Sequence, residues 1–232
     1  YMLVGGMPEA VATYTETGSY RYSSDIVNEI IQGYQDDFAK YGAKANPLLL
    51  RQTLISVAHQ AGAKFVYSRV EGQYRSAEVK VALEMLKDAG LIIPTYHTDA
   101  NGVPLGAEIN ERVVKYLIHD TGVLLGILGI DDDIDDSIKE MMVADSIDLV
   151  DKGHVAEMMA GLELIKYSSP QKRHQLYYWQ NMNKGTCAEV DYVIARSGSI
   201  VPIEVKSGVK GSMSSMYSVS YTHLTLPTNR EV

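Results

Sequence analysis

The chain has 232 residues, 46% of them hydrophobic and 22% charged. This is enough to bury one large core or two to three small ones, and it argues against bulk disorder. The formal net charge of -8 has the wrong sign for a protein that grips nucleic acid mainly through phosphates. There is no 18-residue apolar run and no signal peptide, and the single Cys187 fits a reducing compartment. We therefore expect a cytoplasmic protein with no membrane partner.

Residues 1–45 predict a helical segment. Ser23, Ser24 and Asp25 offer N-caps, after which apolar residues recur at helical spacing. That stripe comprises Val27, Ile30, Ile31, Tyr34, Phe38 and Tyr41. The chain starts at Tyr1 without an initiator methionine, so we expect it to continue from a preceding domain.

Residues 46–114 predict a winged helix-turn-helix. Asn46-Pro47 caps a first helix, and a second helix is expected over roughly Arg75 to Ala89, followed by extended segments around a turn at 99–102. In such modules the second helix can enter a major groove. The outward basic residues are Arg75, Lys80 and Lys87, but Glu78, Glu84 and Asp88 share that helix. A packing or protein-contact module therefore explains the pattern as well as a DNA reader does.

Residues 115–217 predict a small α/β core. A helix from Gly153 to about Lys166 places Glu157 beside its apolar stripe, and Leu176–Trp179 is expected to form a strand next to a hairpin. Glu157 is either an ordinary solvent-exposed glutamate or points at that hairpin. The acidic run Asp131–Asp136 lacks the glycine of an EF-hand loop, which favours a solvated loop or a helix cap.

The hairpin is the segment most informative about chemistry. Two β-branched, alternating segments, 188–194 and 202–208, flank the turn residues 196–199. A turn centred on Ser197-Gly198 makes Ala195 face Ile200 and makes Asp191 face Glu204. We expect one buried face, which comprises Val190, Tyr192, Ile194, Val201, Ile203 and Val205.

The opposite hairpin face is charged and carries Glu189, Asp191, Glu204 and Lys206. Like charges directly opposite each other destabilise a strand pair, so the facing carboxylates need an explanation. One explanation is a divalent cation held by both, because hard cations favour oxygen ligands. The other is a solvated sheet face whose charges tolerate each other in water.

Residues 218–232 are expected to be foreign to the fold. Val219–Leu224 resembles the translation of a sequencing adapter, a kind of tail found on gene fragments assembled from environmental DNA. A genuine polar tail is the alternative.

Seven motifs occur in the same order in a known family. They are Gly5–Glu9, Lys64–Ser68, Leu86–Ile92, Asp120–Gly122, Tyr178-Trp179, Glu189–Ile194 and Pro202–Gly208. Over roughly Met2 to Tyr217, the chain resembles the C-terminal half of prokaryotic AAA-type ATP-binding proteins that carry the domain of unknown function 4143. The resemblance implies an ATPase domain upstream as a partner. No G-x-x-x-x-G-K-[ST] loop occurs in this chain, so ATP is expected to bind only through that missing domain.

The C-terminal module of that family looks like a PD-(D/E)XK nuclease fold. The resemblance maps its acidic positions to Glu157, Asp191 and Glu204, and its lysine to Lys206. Asp191 and Glu204 would hold Mg²⁺, with Glu157 as a further ligand or hydrogen-bond acceptor. Lys206 would be catalytic, because it would orient the attacking water or neutralise developing charge. No residue is expected to bind an organic cofactor.

These inferences predict an α/β (α+β) chain, with a helical segment and a winged helix-turn-helix followed by the nuclease-like core. The implied activity is Mg²⁺-dependent phosphodiester hydrolysis, with DNA as a weakly supported partner. The rival interpretation is a catalytically silent regulatory or interaction domain of an ATPase, since a fold does not settle function. The Asp, Glu and Lys residues favour an active site, whereas the acidic net charge favours the rival.

Overall fold

The computed structural model describes residues 1–41, 46–129, 152–168, 175–181 and 188–206. The helices are α1 (Pro8–Thr17), α2 (Tyr20–Phe38), α3 (Pro47–His59), α4 (Ser76–Asp88), α5 (Thr121–Leu128) and α6 (Lys152–Lys166). The strands are β1 (Ile92–Thr98), β2 (Ile109–Ile118), β3 (Leu176–Gln180), β4 (Glu189–Val190), β5 (Tyr192–Arg196) and β6 (Ser199–Ile203). Short 3₁₀ turns occur at Ala39–Tyr41, Tyr67–Arg69 and Leu105–Glu108. Mixed helices and strands confirm the α/β class.

The chain divides into two compact units. The first combines Tyr1–Ile93 with Lys115–Leu162, and the second combines Pro94–Val114 with Glu163–Val232. The four-part division at 45, 114 and 217 stays a prediction. The acidic run at 131–136, Cys187 and the segment 218–232 lie outside the described residues. Within the described residues no helix is long and apolar enough to cross a membrane.

The helix predicted after the serines at 23 and 24 is present, but α2 begins earlier, at Tyr20. Ser23 is not a cap: its hydroxyl lies inside the helix and donates to the carbonyl oxygen of Ala10, 2.8 Å away. That bond ties α2 to α1, which the sequence pattern did not predict. Val27 and Ile31 of the predicted stripe are buried. The spacing therefore identified the helix, whereas its start depends on a contact distant in sequence.

The predicted cap of α3 is confirmed, and α4 has a cap that was not predicted. Asn46 Oδ1 accepts the backbone N–H of Leu48 at 2.9 Å, with Pro47 at the first helical position. Glu78 Oε2 accepts the backbone N–H of Arg75 at 2.8 Å, which satisfies a donor at the start of α4. The apolar residues at helical spacing are buried in α3 (Leu50, Leu54, Val57 and Ala58) and in α4 (Val79, Leu83 and Leu86), and Ala61 just after α3 is buried with them.

A carboxylate fastens the N-terminal segment to the start of α5. The buried Asp120 accepts the backbone N–H of Val123 through Oδ1 at 3.0 Å, which caps the helix. Its Oδ2 accepts the backbone N–H of Gly6 at 2.6 Å. Gly5 has a φ of +78°, and a Cβ there would lie 2.1 Å from Asp120 Oδ1. We call this arrangement of Gly5, Gly6 and Asp120 the N-terminal clasp.

The residue before the clasp carboxylate is a histidine held by two hydrogen bonds. His119 Nδ1 lies 3.2 Å from the carbonyl oxygen of Leu91, and its Nε2 lies 3.2 Å from the Tyr34 hydroxyl. Because a carbonyl only accepts, Nδ1 carries the proton and Nε2 accepts from Tyr34 in the neutral ring. Burial lowers the pKa of His119, and this outweighs the opposing effects of the Leu91 carbonyl and Asp120.

The second unit holds β3, β4 and the β5–β6 hairpin. The larger sheet has the order β2-β1-β3-β4, in which β1 and β3 run parallel and β3 and β4 antiparallel. β5 and β6 form a separate antiparallel pair. The strand predicted at Leu176–Trp179 is confirmed, and its neighbour is β4 of the predicted hairpin segment. The apolar cluster of this unit comprises Ala100, Leu105, Trp179, Ala188, Val190, Val193 and Ile200.

The predicted buried face of the hairpin is only partly correct. Val190 and Tyr192 are buried as expected, but so is Val193. On the other strand Val201 was expected to be buried, but it is 36% exposed and Ile200 is buried instead. The reason is a bend at Asp191, which interrupts the strand between β4 and β5 and resets the alternation of side chains.

We predict that Gly5→Ala destabilises the protein more than Gly18→Ala does. Both glycines have positive φ, so both substitutions incur backbone strain of about 1–3 kcal/mol. At Gly5 the new Cβ would collide with Asp120, whereas at Gly18 no atom of the described residues lies within 4 Å of the Cβ position. Chemical denaturation of the two variants measures the difference. Equal losses would show that the clasp contributes nothing to stability.

We predict that stability falls as the pH drops below about 6.5, the ordinary pKa of histidine. The folded chain binds the His119 proton less readily than the unfolded chain, so unfolding takes up a proton in this range. The stability from a neutral His119 is therefore fully present above that pH and is lost as the pH falls towards the lowered folded pKa. Urea melts between pH 8 and pH 5 should give a smaller pH slope in His119→Gln. An unchanged slope would contradict the assignment.

Candidate functional site

The predicted register of the hairpin is confirmed. Tyr192 pairs with Ile203, Val193 with Pro202, Ile194 with Val201, Ala195 with Ile200 and Arg196 with Ser199. The pairing stops one residue before Asp191 and Glu204, which continue the same register beyond the ends of β5 and β6. The two carboxylates therefore do not face each other within the ladder. They follow it at the open end of the hairpin.

Asp191 closes that open end with a hydrogen bond. Its Oδ2 accepts the backbone N–H of Val205 at 2.7 Å, across the gap between the two segments. The carboxylate thus replaces the ladder bond that the bend removes. A carboxylate fixed by a backbone donor keeps its position and retains lone pairs for a second partner.

Glu204 and Lys206 form an ion pair beside it. Lys206 Nζ lies 2.5 Å from Glu204 Oε1, and the Lys206 side chain is 41% exposed. The Glu204 side chain is only 12% exposed, and its Oε2 is buried and has no hydrogen-bond partner among the described residues. A buried acceptor without a donor costs free energy, and the cost is larger for a charged group. The Oε2 atom is therefore the position in this cluster that a ligand would satisfy.

Glu157 is buried, so the expectation of an ordinary solvent-exposed glutamate is wrong. It is 8% exposed on α6 and lies in the first unit, where its Oε1 is 3.0 Å from Nζ of Lys115. Lys115 is 2% exposed. A lysine and a glutamate that are both removed from water need each other to offset desolvation. Sequence reasoning missed Lys115, although a lone lysine in the apolar strand Val113–Ile118 was a visible signal.

The structure brings together three of the four predicted site residues. Asp191, Glu204 and Lys206 lie within the second unit, while Glu157 lies in the first. In the described part of the chain no group of three or more His, Cys, Asp or Glu side chains could hold a metal ion. Asp191 and Glu204 supply two carboxylates, and Mg²⁺ is commonly bound by one or two of them, with water completing its shell. The donor set fits Mg²⁺ and does not form an all-protein cage.

Comparison with known families gives two matches. Residues 1–134, more than half of the chain, match the family described as Domain of unknown function (DUF8612). The chain belongs to that family. Residues 152–230 match the Domain of unknown function (DUF4143), which confirms the domain named from the motifs. This second match contains Glu157, Asp191, Glu204 and Lys206, and it continues past Tyr217. Comparison with curated proteins and with solved structures gave no match.

We predict that Glu157→Gln destabilises the protein by about 3–5 kcal/mol, because it leaves the buried Lys115 ammonium without its carboxylate. Glu163→Gln on the same helix is the matched control, since Glu163 pairs with Lys166 at the surface. An exposed pair of that kind contributes about 0–1 kcal/mol.

The double variant Lys115→Met with Glu157→Leu should recover most of the loss, because two apolar side chains need no compensation. Urea melts of the four proteins test the assignment. A Glu157→Gln loss no larger than the Glu163→Gln loss would show that the pair is not a structural contact.

Proposed function

We propose that the hairpin end carries a magnesium-dependent site for phosphodiester hydrolysis, built from Asp191, Glu204 and Lys206. The observation that carries this proposal is the buried, unpartnered Oε2 of Glu204 next to a carboxylate held in place by the Val205 N–H. Two acidic groups brought close together repel each other unless a cation compensates them. Lys206 pairs with Glu204, and a divalent ion would compensate the remaining negative charge of the two carboxylates.

Each residue has a separate task in this proposal. Asp191 and Glu204 would hold Mg²⁺, which lowers the pKa of a bound water and stabilises charge on the phosphoryl oxygens when it is present. The Val205 N–H fixes the Asp191 carboxylate, so that little reorganisation is needed on metal binding. Lys206 is exposed enough to reach a phosphate oxygen, and its ammonium would neutralise charge that develops in the transition state. Its present pairing with Glu204 would be exchanged for the phosphate.

The type of domain and of protein that carries this site is also a proposal. We infer a PD-(D/E)XK nuclease-like domain in a prokaryotic AAA-type ATP-binding protein, in which ATP binds to a domain that this chain lacks. A winged helix-turn-helix would precede it. An antiparallel bridge between Lys64 and Lys115 supports that arrangement, because it links the segment between α3 and α4 to β2. DNA as the substrate has weaker support, since Lys87 of α4 already pairs with Glu84 of the same helix.

A second function has a specific observation in its favour. Glu157 was expected as a third acidic group, and its carboxylate is instead paired with Lys115. A site reduced to two carboxylates is what a module would retain if it kept the fold and lost cleavage. The rival is therefore a silent regulatory or interaction domain that acts on its own ATPase domain.

Two measurements on purified protein separate the functions. The first is thermal melting with Mg²⁺ or Mn²⁺. A cation that binds only the folded chain should add about 2.7 kcal/mol at a hundredfold excess over its Kd. Asp191→Asn should lose most of this gain, because it removes charge and nearly keeps the shape. Glu189→Gln, two residues earlier and outside the proposed site, should keep it.

The second measurement is cleavage of single- and double-stranded DNA and RNA with the same cations. Lys206→Ala should abolish cleavage while it keeps the metal response, since the lysine serves the reaction and not the ion. A metal response without cleavage in any of these substrates would support the silent domain. No response to either cation, or an equal response in Asp191→Asn, would overturn the metal site.

A further inference from the structure

A polar cleft of about 390 Å³ lies wholly within the first unit. One wall is a stripe of α3, formed by Gln52, Ile55, Ser56 and His59 at successive helical turns. The other wall carries Arg69, the last residue of the 3₁₀ turn Tyr67–Arg69, and Glu71, two residues later. The volume is within the range of small-molecule sites, roughly 300–1,000 Å³.

The second wall is anchored by a buried amide. Gln60 Oε1 accepts the backbone N–H of Val66 at 2.7 Å. Its Nε2 donates to the Val66 carbonyl at 3.3 Å and to Ser56 Oγ at 2.9 Å. These three bonds fix the start of the segment that leads to Arg69. Because Ser56 Oγ accepts from Gln60, its own proton is available for another acceptor.

The two charged side chains of the cleft, Arg69 and Glu71, do not pair with each other. Among the residues that the structure describes, the Arg69 side chain makes no hydrogen bond or ion pair. Glu71 receives only a long contact from Gln52 Nε2, 3.4 Å away. A cation and an anion two residues apart line one cleft without forming a salt bridge. A ligand that carries both an anionic and a cationic group could pair with both side chains, whereas a singly charged ligand could pair with only one.

We propose that this cleft binds a small zwitterion of the α-amino-acid class. The Arg69 guanidinium would take the carboxylate in a two-pronged hydrogen bond, with the Ser56 hydroxyl as a further donor. Glu71 would accept from the α-ammonium group, and Gln52 would then be released from its weak contact. Ile55 is partly exposed in the same wall and would contact the apolar part of the ligand. This binding site is separate from the hydrolytic chemistry proposed at the hairpin and does not depend on it.

The test uses the whole chain and matched probes. The twenty standard amino acids are screened by saturation-transfer NMR, and each binder is compared with two analogues. Its α-carboxamide lacks the anionic group, and its deaminated acid lacks the cationic group. We expect the amino acid to bind at least about tenfold more tightly than either analogue, the equivalent of about 1.4 kcal/mol for each lost charge partner.

The variants must reproduce the same pattern. Arg69→Gln should weaken binding of the amino acid about tenfold and leave binding of the carboxamide unaffected. Glu71→Gln should also weaken binding of the amino acid about tenfold, but it should leave binding of the deaminated acid unaffected. Arg51→Gln, on α3 but outside the cleft, is the control and should bind as the unsubstituted chain does. These side chains are exposed, so the variants should keep the melting temperature. The proposal is overturned if no amino acid binds, if the deaminated acid binds equally well, or if neither variant changes the affinity.

Discussion

Removing a carboxylate from water costs several kcal/mol unless donors or cations replace the lost hydration. Several carboxylates of this chain are removed from water, and the partners that satisfy each of them hold a different part of the structure in place. Asp120 is satisfied by the backbone N–H groups of Gly6 and Val123, which joins the N-terminal segment to α5. Glu157 is satisfied by Lys115, which joins α6 to the end of β2. Among the carboxylates in the described part of the chain, Glu204 is the one with a buried oxygen that has no hydrogen-bond partner.

This contrast distinguishes structural carboxylates from a functional candidate. Asp120 and Glu157 have donors in place, and their positions explain how distant segments of the first unit are held together. Glu204 is different because its second oxygen is desolvated and uncompensated, a condition that a folded protein tolerates mainly where a ligand or an ordered water completes the site. Glu157 is a weaker candidate for a metal ligand, since a cation there would have to share its carboxylate with the buried Lys115 ammonium.

Local chemistry explains how much could be predicted from the sequence. The start of α3 follows from Asn46-Pro47, and the hairpin register follows from Ser197-Gly198, because caps and turns act over a few residues. The start of α2 could not be predicted, since Ser23 bonds to Ala10 of another helix. Neither could the partner of Glu157, which lies 42 residues away along the chain. Of the site, the grouping of Asp191 with Glu204 followed from the register, whereas the bend that resets the alternation did not.

The sequence matches and the packing divide the chain at different places. The first family match ends at residue 134 and the second begins at 152, so Lys115 and Glu157 belong to different matches. By packing, both residues belong to the first unit, which extends to Leu162. Their buried ion pair therefore makes most of α6 an integral part of the first unit, although its sequence matches the second family. A fragment cut between the two matches would expose the apolar side of α6 and separate Glu157 from Lys115. The two matched regions thus share one packed unit, and the hairpin chemistry is best studied in a chain that keeps both.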